Sequence, residues 1–126
     1  MSALRDAALA RIEGRTAKVV LVGQGYVGLP VAMRAVEVGF PVVGFEIDDR
    51  RVKALQAGES YVGDVSDATV QAALASGYVP TSDPAALAGF DIAVISVPTP
   101  LREGQPDLSF IESAGATLAA HLTEGA

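Results

Sequence analysis

The sequence predicts an open α/β fold in which parallel strands alternate with helices and lie in the sheet order 3-2-1-4. The apolar run at 18–22 is typical of a strand that is buried on both faces of a parallel sheet, and the run at 92–97 is predicted as a further strand. Stretches with apolar residues at helical spacing separate the strands, and right-handed crossovers between parallel strands give the order. A chain of 126 residues, of which 50% are hydrophobic, is long enough to form one such domain.

The first half of the chain contains three predicted helices and two predicted strands. In order, they are a short leading helix at 2–13, a strand at 18–22, a helix at 26–38, a strand at 41–45 and a helix from Asp48 or Asp49 to Gly58. Each helix has apolar residues three or four positions apart, and Gly14 and Gly39 stand where helix C-caps are expected. The leading helix therefore falls in a segment, 1–15, that precedes the domain at 16–126.

The second half is predicted to contain three more helices and two more strands. They are a helix from Ser66 or Asp67 to Ala75, a strand at 78–81, a short helix at 84–89, a strand at 92–97 and a last helix after Asp107. Pro80 has no N–H to donate, which places the third strand at an edge of the sheet. Asp83 followed by Pro84 is typical of a helix start. The last helix is expected to bury an apolar stripe of Phe110, Ile111, Ala114, Leu118 and Leu122.

Charge and composition exclude several classes of protein. The 15 acidic and 9 basic residues give a net charge of −6, so we expect no nucleic-acid binding. No apolar run approaches the roughly 20 residues that cross a bilayer, and no signal peptide is visible, so we expect a cytoplasmic protein without a membrane partner. Because the chain has no cysteine, it has no disulfide and no thiol nucleophile. The single histidine and the acidic residues lack metal-site spacing, so we predict no metal.

A glycine-rich turn is the main chemical signal. Residues 23–28, Gly-Gln-Gly-Tyr-Val-Gly, follow the first strand and open a helix, which is the context of a dinucleotide-binding G-x-G-x-x-G turn. In such a turn the first glycine permits the bend, the second lets a diphosphate approach the backbone, and the third lets the helix pack on the strand. Free N–H groups and the helix dipole then face the anion. The alternative is a purely structural glycine turn.

An acidic residue stands where such a turn needs one. Glu46 ends the second strand, 18 residues after the last glycine of the turn, near the offset of about 20 at which a carboxylate accepts hydrogen bonds from the adenosine ribose. Its charge, with Asp48 and Asp49 close by, disfavours the 2′-phosphate of NADP, so we expect NAD as the cofactor. Arg50 and Arg51 leave this choice open, because each is equally well explained as a solvated helix residue.

The loop after the fourth strand is the second signal. Residues 97–101, Val-Pro-Thr-Pro-Leu, lie at the carboxyl edge of the predicted sheet, where the strand order changes direction and ligands bind. The two prolines stiffen the loop, and the hydroxyl of Thr99 can donate to a phosphate or a ribose. The alternative is a rigid turn without a ligand.

Several motifs taken together resemble one enzyme family. They are Gly-Gln-Gly-Tyr-Val-Gly-Leu-Pro at 23–30, Gly-Phe-Glu-Ile-Asp at 44–48, Leu-Gln-Ala-Gly at 55–58, Ser-Tyr at 60–61, Ser-Val-Pro-Thr-Pro-Leu at 96–101 and Pro-Asp-Leu-Ser-Phe at 106–110. In this order they resemble the N-terminal domain of the UDP-glucose/GDP-mannose dehydrogenases, and most closely the UDP-N-acetyl-hexosamine 6-dehydrogenase branch. The resemblance implies a Rossmann-type NAD-binding domain that is truncated before strands five and six.

The resemblance also implies a reaction and a set of cofactor contacts. The family oxidises the C6 alcohol of a UDP-sugar to the uronate in two NAD-dependent steps. Residues that match its cofactor site are Gly23, Gln24, Gly25, Tyr26, Val27, Gly28, Glu46, Arg51, Val97, Pro98 and Thr99. Gln24 departs from the small or apolar residue usual in the family, and Glu46 from the commoner aspartate.

The family's catalytic residues match nothing in this chain. Its nucleophilic cysteine and its catalytic Glu, Lys and Asn belong to regions that would follow residue 126, so we expect an incomplete, inactive domain of a homo-oligomeric enzyme whose other domains bind the nucleotide sugar. Two alternatives remain open at this stage. One is another Rossmann dehydrogenase of the β-hydroxyacid type, and the other is a non-catalytic, NAD-responsive binding module.

Overall fold

Four parallel strands form the central sheet of the computed structural model, which describes residues 2–126. In chain order the elements are α1 (Ala3–Glu13), β1 (Val19–Val22), α2 (Gly28–Glu37), β2 (Val42–Phe45), α3 (Asp49–Gln56), α4 (Asp67–Ala75), β3 (Val79–Thr81), a 3₁₀ helix (Pro84–Leu87), β4 (Ile92–Ile95), β5 (Leu101–Arg102), β6 (Gln105–Pro106) and α5 (Ser109–Ala119). The strand order is β3-β2-β1-β4, so the predicted α/β fold and sheet order are confirmed. Met1, the first residue of the predicted leading segment, lies outside the described residues.

The register of β1 brings the ends of three strands to one level. Val22, the last residue of β1, pairs with Phe45 of β2 on one side and with Ile95 of β4 on the other. All the pairings of this sheet are parallel, so the carboxyl ends of the strands share one edge. The loops that follow β1, β2 and β4 therefore meet there.

Side chains alternate along β1 and face a hydrophobic core on each side of the sheet. Val19 and Leu21 face a core formed with α2, α3 and α4. Val20 and Val22 face a second core, formed with α5 and with Leu87 of the 3₁₀ helix. All four residues of β1 are buried, which explains why the strand reads as a continuous apolar run.

Helix caps decide two boundaries that the sequence left open. Asp48 rather than Asp49 caps α3, since its side chain accepts the N–H of Arg50. Ser66 rather than Asp67 caps α4 by accepting the N–H of Thr69. Each cap takes up a backbone donor that has no partner inside the helix.

The structure differs from the predicted elements in the last quarter of the chain. The predicted strand 92–97 ends at Ile95. Residues 101–106 form a two-stranded antiparallel hairpin that the sequence did not predict. Leu122 is 61% exposed because α5 ends before it, and Ile111 is 39% exposed, so the predicted apolar stripe is wrong at both positions. Within residues 2–126, no helix has the length and apolar character that a bilayer crossing requires.

The leading helix is confirmed, but it contributes little to the core. None of its residues is buried, although the sequence spaces its apolar residues at helical intervals. An ion pair joins it to the sheet: the Nε of Arg11 lies 2.9 Å from a carboxylate oxygen of Asp91, which precedes β4. The other carboxylate oxygen of Asp91 accepts the N–H of Lys18 at 2.8 Å.

Candidate dinucleotide site

The first and third glycines of the turn at 23–28 are required by packing. Gly23 has a φ of +95°, a region that favours glycine, and a Cβ there would lie 2.7 Å from the carbonyl oxygen of Ser96. A Cβ on Gly28 would overlap the carbonyl oxygen of Gly23 and the hydroxyl of Ser96. These two glycines let the turn, the start of α2 and the end of β4 lie in contact.

Gly25 is different, because the fold leaves room for a side chain there. The nearest atom to a Cβ at this position would be Nη1 of Arg51, at 3.6 Å, which is an ordinary van der Waals distance. Gly25 lines a cavity of about 520 Å³ at the carboxyl edge of the sheet. A Cβ would therefore occupy space that is open to a ligand, as expected where a diphosphate approaches the backbone.

Four backbone N–H groups of the turn lack an acceptor among residues 2–126. They belong to Gly25, Tyr26, Val27 and Gly28, which form the N-terminus of α2 and the approach to it. The two preceding N–H groups are used: that of Gly23 bonds the carbonyl of Phe45 at 2.8 Å, and that of Gln24 bonds the carboxylate of Glu46. Unpaired N–H groups at a helix N-terminus bind anions, and the helix dipole adds to this preference.

Glu46 is buried beside the turn and retains acceptor capacity. Its Oε1 accepts the N–H of Gln24 at 3.1 Å, and its Oε2 accepts the N–H of Asp48 at 3.1 Å. Each carboxylate oxygen can accept more than one hydrogen bond, so donors such as ribose hydroxyls can still bind. The carboxylate therefore both fixes the turn and offers lone pairs to the cavity that it lines.

Arg51 supplies positive charge next to the free N–H groups. Its Nη1 lies 3.5 Å from Oε1 of Glu46, and its guanidinium lies 5.0 Å from the ring centroid of Tyr61. A planar guanidinium is stabilised over an aromatic face. The hydroxyl of Tyr61 donates to the carbonyl of Gln24 at 2.5 Å, so this ring also contacts the turn. Sequence reasoning placed Tyr61 in a family motif but gave it no role.

Ser96 links the end of β4 to the turn. Its hydroxyl donates to the carbonyl oxygens of Gly23 at 3.0 Å and Val22 at 3.2 Å. Its backbone N–H also donates to the carbonyl of Val22, at 2.8 Å. Sequence reasoning did not select Ser96 as a site residue. Its position one residue before the selected loop was the available signal.

The cavity brings together most of the residues selected from the sequence. Its lining includes Gly23, Gln24, Gly25, Tyr26, Val27, Glu46, Arg51, Val97 and Pro98. Gly28 packs inside the turn, and Thr99 is exposed outside the lining. One face of α5 completes the wall, through Phe110, Ser113, Ala114 and Thr117. The sequence did not reveal this helix as part of the site.

The fold and the site together define a dinucleotide-binding domain of the Rossmann type. A parallel sheet of order 3-2-1-4, a glycine turn after β1, free N–H groups at the start of α2 and an acidic residue at the end of β2 are its defining parts. The free N–H groups and the empty Cβ position of Gly25 fit a diphosphate, and the carboxylate of Glu46 fits a ribose.

Comparison with known proteins identifies the family. The sequence model for the "UDP-glucose/GDP-mannose dehydrogenase family, NAD binding domain" matches residues 17–126. The chain belongs to this family, and the matched part is its NAD-binding domain. The match supports the predicted resemblance over another class of Rossmann dehydrogenase, and NAD is the cofactor that it implies.

Relatives of known sequence and solved structure support the same family assignment. A UDP-N-acetyl-D-mannosamine dehydrogenase of Pyrococcus horikoshii is 32% identical over 86% of this chain, and an NDP-N-acetyl-D-galactosaminuronic acid dehydrogenase of Ralstonia nicotianae is 36% identical over 90%. A solved structure of the UDP-D-ManNAc dehydrogenase from P. horikoshii superposes with a TM-score of 0.82 at 31% identity, covering 86% of this chain and 27% of that chain. The chain spans 27% and 26% of the length of the two sequence relatives.

Alanine substitutions at two glycines should separate folding from ligand space. Gly28→Ala should lower the free energy of unfolding by about 1–3 kcal/mol, because its Cβ overlaps backbone and Ser96. Gly25→Ala should change it by less than about 1 kcal/mol, because its Cβ meets only ordinary contacts. Urea unfolding followed by circular dichroism measures both. Equal losses at the two positions would contradict this assignment.

Proposed function

We propose that this chain is the NAD-binding portion of a nucleotide-sugar 6-dehydrogenase that oxidises the C6 alcohol of a UDP-sugar to the uronate. The observation that carries the proposal is the row of unpaired N–H groups at Gly25, Tyr26 and Val27, next to the buried carboxylate of Glu46. The family match supports NAD. The printed names of relatives, which include a UDP-glucose 6-dehydrogenase of Bacillus subtilis, support the class of substrate.

Each selected residue has a distinct part in the proposed binding. The free N–H groups of the turn bind the diphosphate, and Arg51 adds charge beside them. Glu46 accepts hydrogen bonds from the adenosine ribose and repels a 2′-phosphate. Val97 and Pro98, which line the cavity after β4, pack against the ligand beyond the diphosphate. Thr99, exposed next to this lining, offers its hydroxyl to a phosphate or a ribose.

In the proposed reaction this chain binds and orients the cofactor. Bound NAD supplies a hydride acceptor for oxidation of the sugar alcohol. The aldehyde-level step of the family needs a thiolate, and this sequence has no cysteine. We therefore propose that residues outside this sequence supply the nucleophile and the sugar site. That the protein works in the cytoplasm stays a prediction from the sequence.

NAD binding tests the proposal directly. In isothermal titration we expect the full chain to bind NAD, and NADP about tenfold or more weakly because of the charge of Glu46. Gly25→Val and Glu46→Ala should each weaken binding by about tenfold or more, since one fills the diphosphate space and the other removes the ribose acceptor. Leu101→Ala, at a 75% exposed position outside the cavity, is the control and should bind as the wild type does.

Two outcomes would contradict the assignment of the cofactor site. One is a chain that folds but does not bind NAD. The other is equal affinity of wild type, Gly25→Val and Glu46→Ala, which would place the ligand elsewhere.

Turnover tests the proposed division of labour. We expect no NADH to appear at 340 nm when the chain is mixed with NAD and UDP-glucose or a UDP-N-acetyl-hexosamine, because neither the sugar site nor the catalytic Glu, Lys and Asn of the family has a match in this sequence, and the aldehyde-level step also lacks its thiolate. A relative that contains the remaining domains is the positive control. NADH formation by this chain alone would contradict the proposal that the catalytic groups lie outside this sequence.

We also propose that the chain associates with itself through the free edge of β4. This strand pairs with β1 on one side and has no strand partner within residues 2–126 on the other. Val94 and Ile95 are 37% and 40% exposed. An exposed strand edge with apolar side chains favours pairing with a second chain. The opposite edge strand, β3, is protected by Pro80.

Light scattering at two protein concentrations measures this association. The average mass of the wild type should rise with concentration, and Ile95→Lys should remain monomeric because a charge on the edge opposes pairing. Val79→Lys, on the β3 edge, is the matched control and should associate as the wild type does. A wild-type chain that is monomeric at both concentrations would contradict the proposal.

A further inference from the structure

The side chain of Gln24 lies inside the protein, although the G-x-G-x-x-G pattern specifies no residue at its position. It is fully buried. Its Nε2 donates to the carbonyls of Gly23 at 2.8 Å and Leu21 at 3.2 Å. Its Oε1 accepts the hydroxyl hydrogen bond of Tyr78 at 2.5 Å. The polar atoms of this side chain are thus all used within the protein.

The backbone of the same residue is held as firmly as its side chain. The N–H of Gln24 donates to Glu46 at 3.1 Å, and its carbonyl accepts the hydroxyl of Tyr61 at 2.5 Å. The N–H belongs to the peptide between Gly23 and Gln24, and the carbonyl belongs to the peptide between Gln24 and Gly25, so both peptides that flank the Cα of Gln24 are held. The second of these peptides carries the first of the four unpaired N–H groups of the turn, that of Gly25.

Gly44 of β2 makes room for this arrangement. A Cβ there would overlap Oε1 of Gln24 and would lie 2.6 Å from the hydroxyl of Tyr78. The φ of Gly44 is not in the left-handed region, so a glycine at this position is explained by the lack of space for a side chain and not by a turn. The amide and the phenol thus meet directly above the second strand, in a place that a side chain on that strand would fill.

We propose that Gln24 and Tyr78 are a buried positioning pair that sets the orientation of the peptide of Gly25, and through it the affinity of the turn for a diphosphate. The inference deepens the proposed function and rests on it. Neither side chain is proposed to touch the ligand. Tyr78 is 3% exposed, lies 54 residues after Gln24 in the sequence and does not line the cavity.

Burial of the pair determines how strongly the loss of one partner should change ligand affinity. Removing one partner of a buried hydrogen bond leaves the other unsatisfied, whereas removing both leaves an apolar contact. Burial raises the pKa of Tyr78, and burial with the charge of Glu46 raises that of Tyr61, so both phenols stay protonated donors at neutral pH. Because Gln24 is part of the turn, we expect an unsatisfied Gln24 or Tyr78 to shift the neighbouring peptide that faces the ligand.

A double-mutant cycle on binding tests the pair. NAD and ADP are titrated against the wild type, Gln24→Leu, Tyr78→Phe and the double variant, well below their unfolding temperatures. Each single variant should bind both ligands about five- to twentyfold more weakly. The double variant should lose less than the product of the single effects, because no buried polar partner is then left over in the pair. The amide NMR signals of Gly25, Tyr26 and Val27 should shift in both single variants before ligand is added.

Val70→Ala separates positioning from loss of stability. Val70 is fully buried in the core between the sheet and α4 and does not line the cavity. This variant should lower the unfolding temperature but leave the affinity for NAD and ADP unchanged. Where Gln24→Leu does not fold, Tyr78→Phe carries the test alone, since it removes a single oxygen.

The outcomes distinguish this inference from the function on which it rests. If the wild type binds NAD and ADP and Tyr78→Phe binds them with the same affinity, the positioning pair is overturned and the proposed function stays intact. Independent effects, in which the double variant loses the full product of the two single losses, would also overturn the pair. A wild type that binds neither NAD nor ADP would overturn the proposed function and this inference with it.

Discussion

The structure depends on hydrogen bonds that join the turn after β1 to the ends of its two neighbouring strands. The N–H of Gly23 bonds the carbonyl of Phe45, and the next N–H bonds the carboxylate of Glu46. From the other side, the hydroxyl of Ser96 bonds the carbonyl of Gly23. These contacts are possible only in the observed register, because a slip by one residue would turn each strand's side chains to the opposite face.

Three of the four glycines around this turn are needed by the fold, each for a different physical reason. Gly23 supplies a positive φ, Gly28 allows close packing on the turn, and Gly44 gives space to a buried amide. Gly25 alone among them meets no crowding from the described chain. A glycine that folding does not require, placed where the cavity meets unpaired N–H groups, is the clearest sign in this structure of space kept for a ligand.

The turn and its acidic partner could be predicted from the sequence because both follow from local pattern and strand order. An apolar run followed by the glycine motif places the turn after β1, and parallel neighbours bring the end of β2 beside it. The inward course of Gln24 could not be predicted in this way. It depends on Tyr78, which is 54 residues further along the chain and is separated from the turn by three helices and one strand.

Packing between distant parts of the chain also explains where the structure differs from the predicted elements after residue 92. The wall that α5 adds to the cavity follows from how that helix lies on the second core, which periodicity alone does not specify. Periodicity extended the predicted stripe to Leu122, yet the helix ends at Ala119, and no capping residue in the sequence marked that end. Thr99 is exposed and lies outside the lining of the cavity, in the loop between β4 and the hairpin of β5 and β6, so its contact with a cofactor stays a prediction.

An acidic chain can offer an anion site because the charges around the turn are balanced locally. Glu46 lies beside the free N–H groups, and its negative charge opposes a diphosphate. Two N–H donors and the guanidinium of Arg51 offset that charge, and the ring of Tyr61 holds the guanidinium close to Gly25. In the proposed binding the carboxylate can therefore accept a ribose hydroxyl while the free N–H groups and Arg51 bind phosphate.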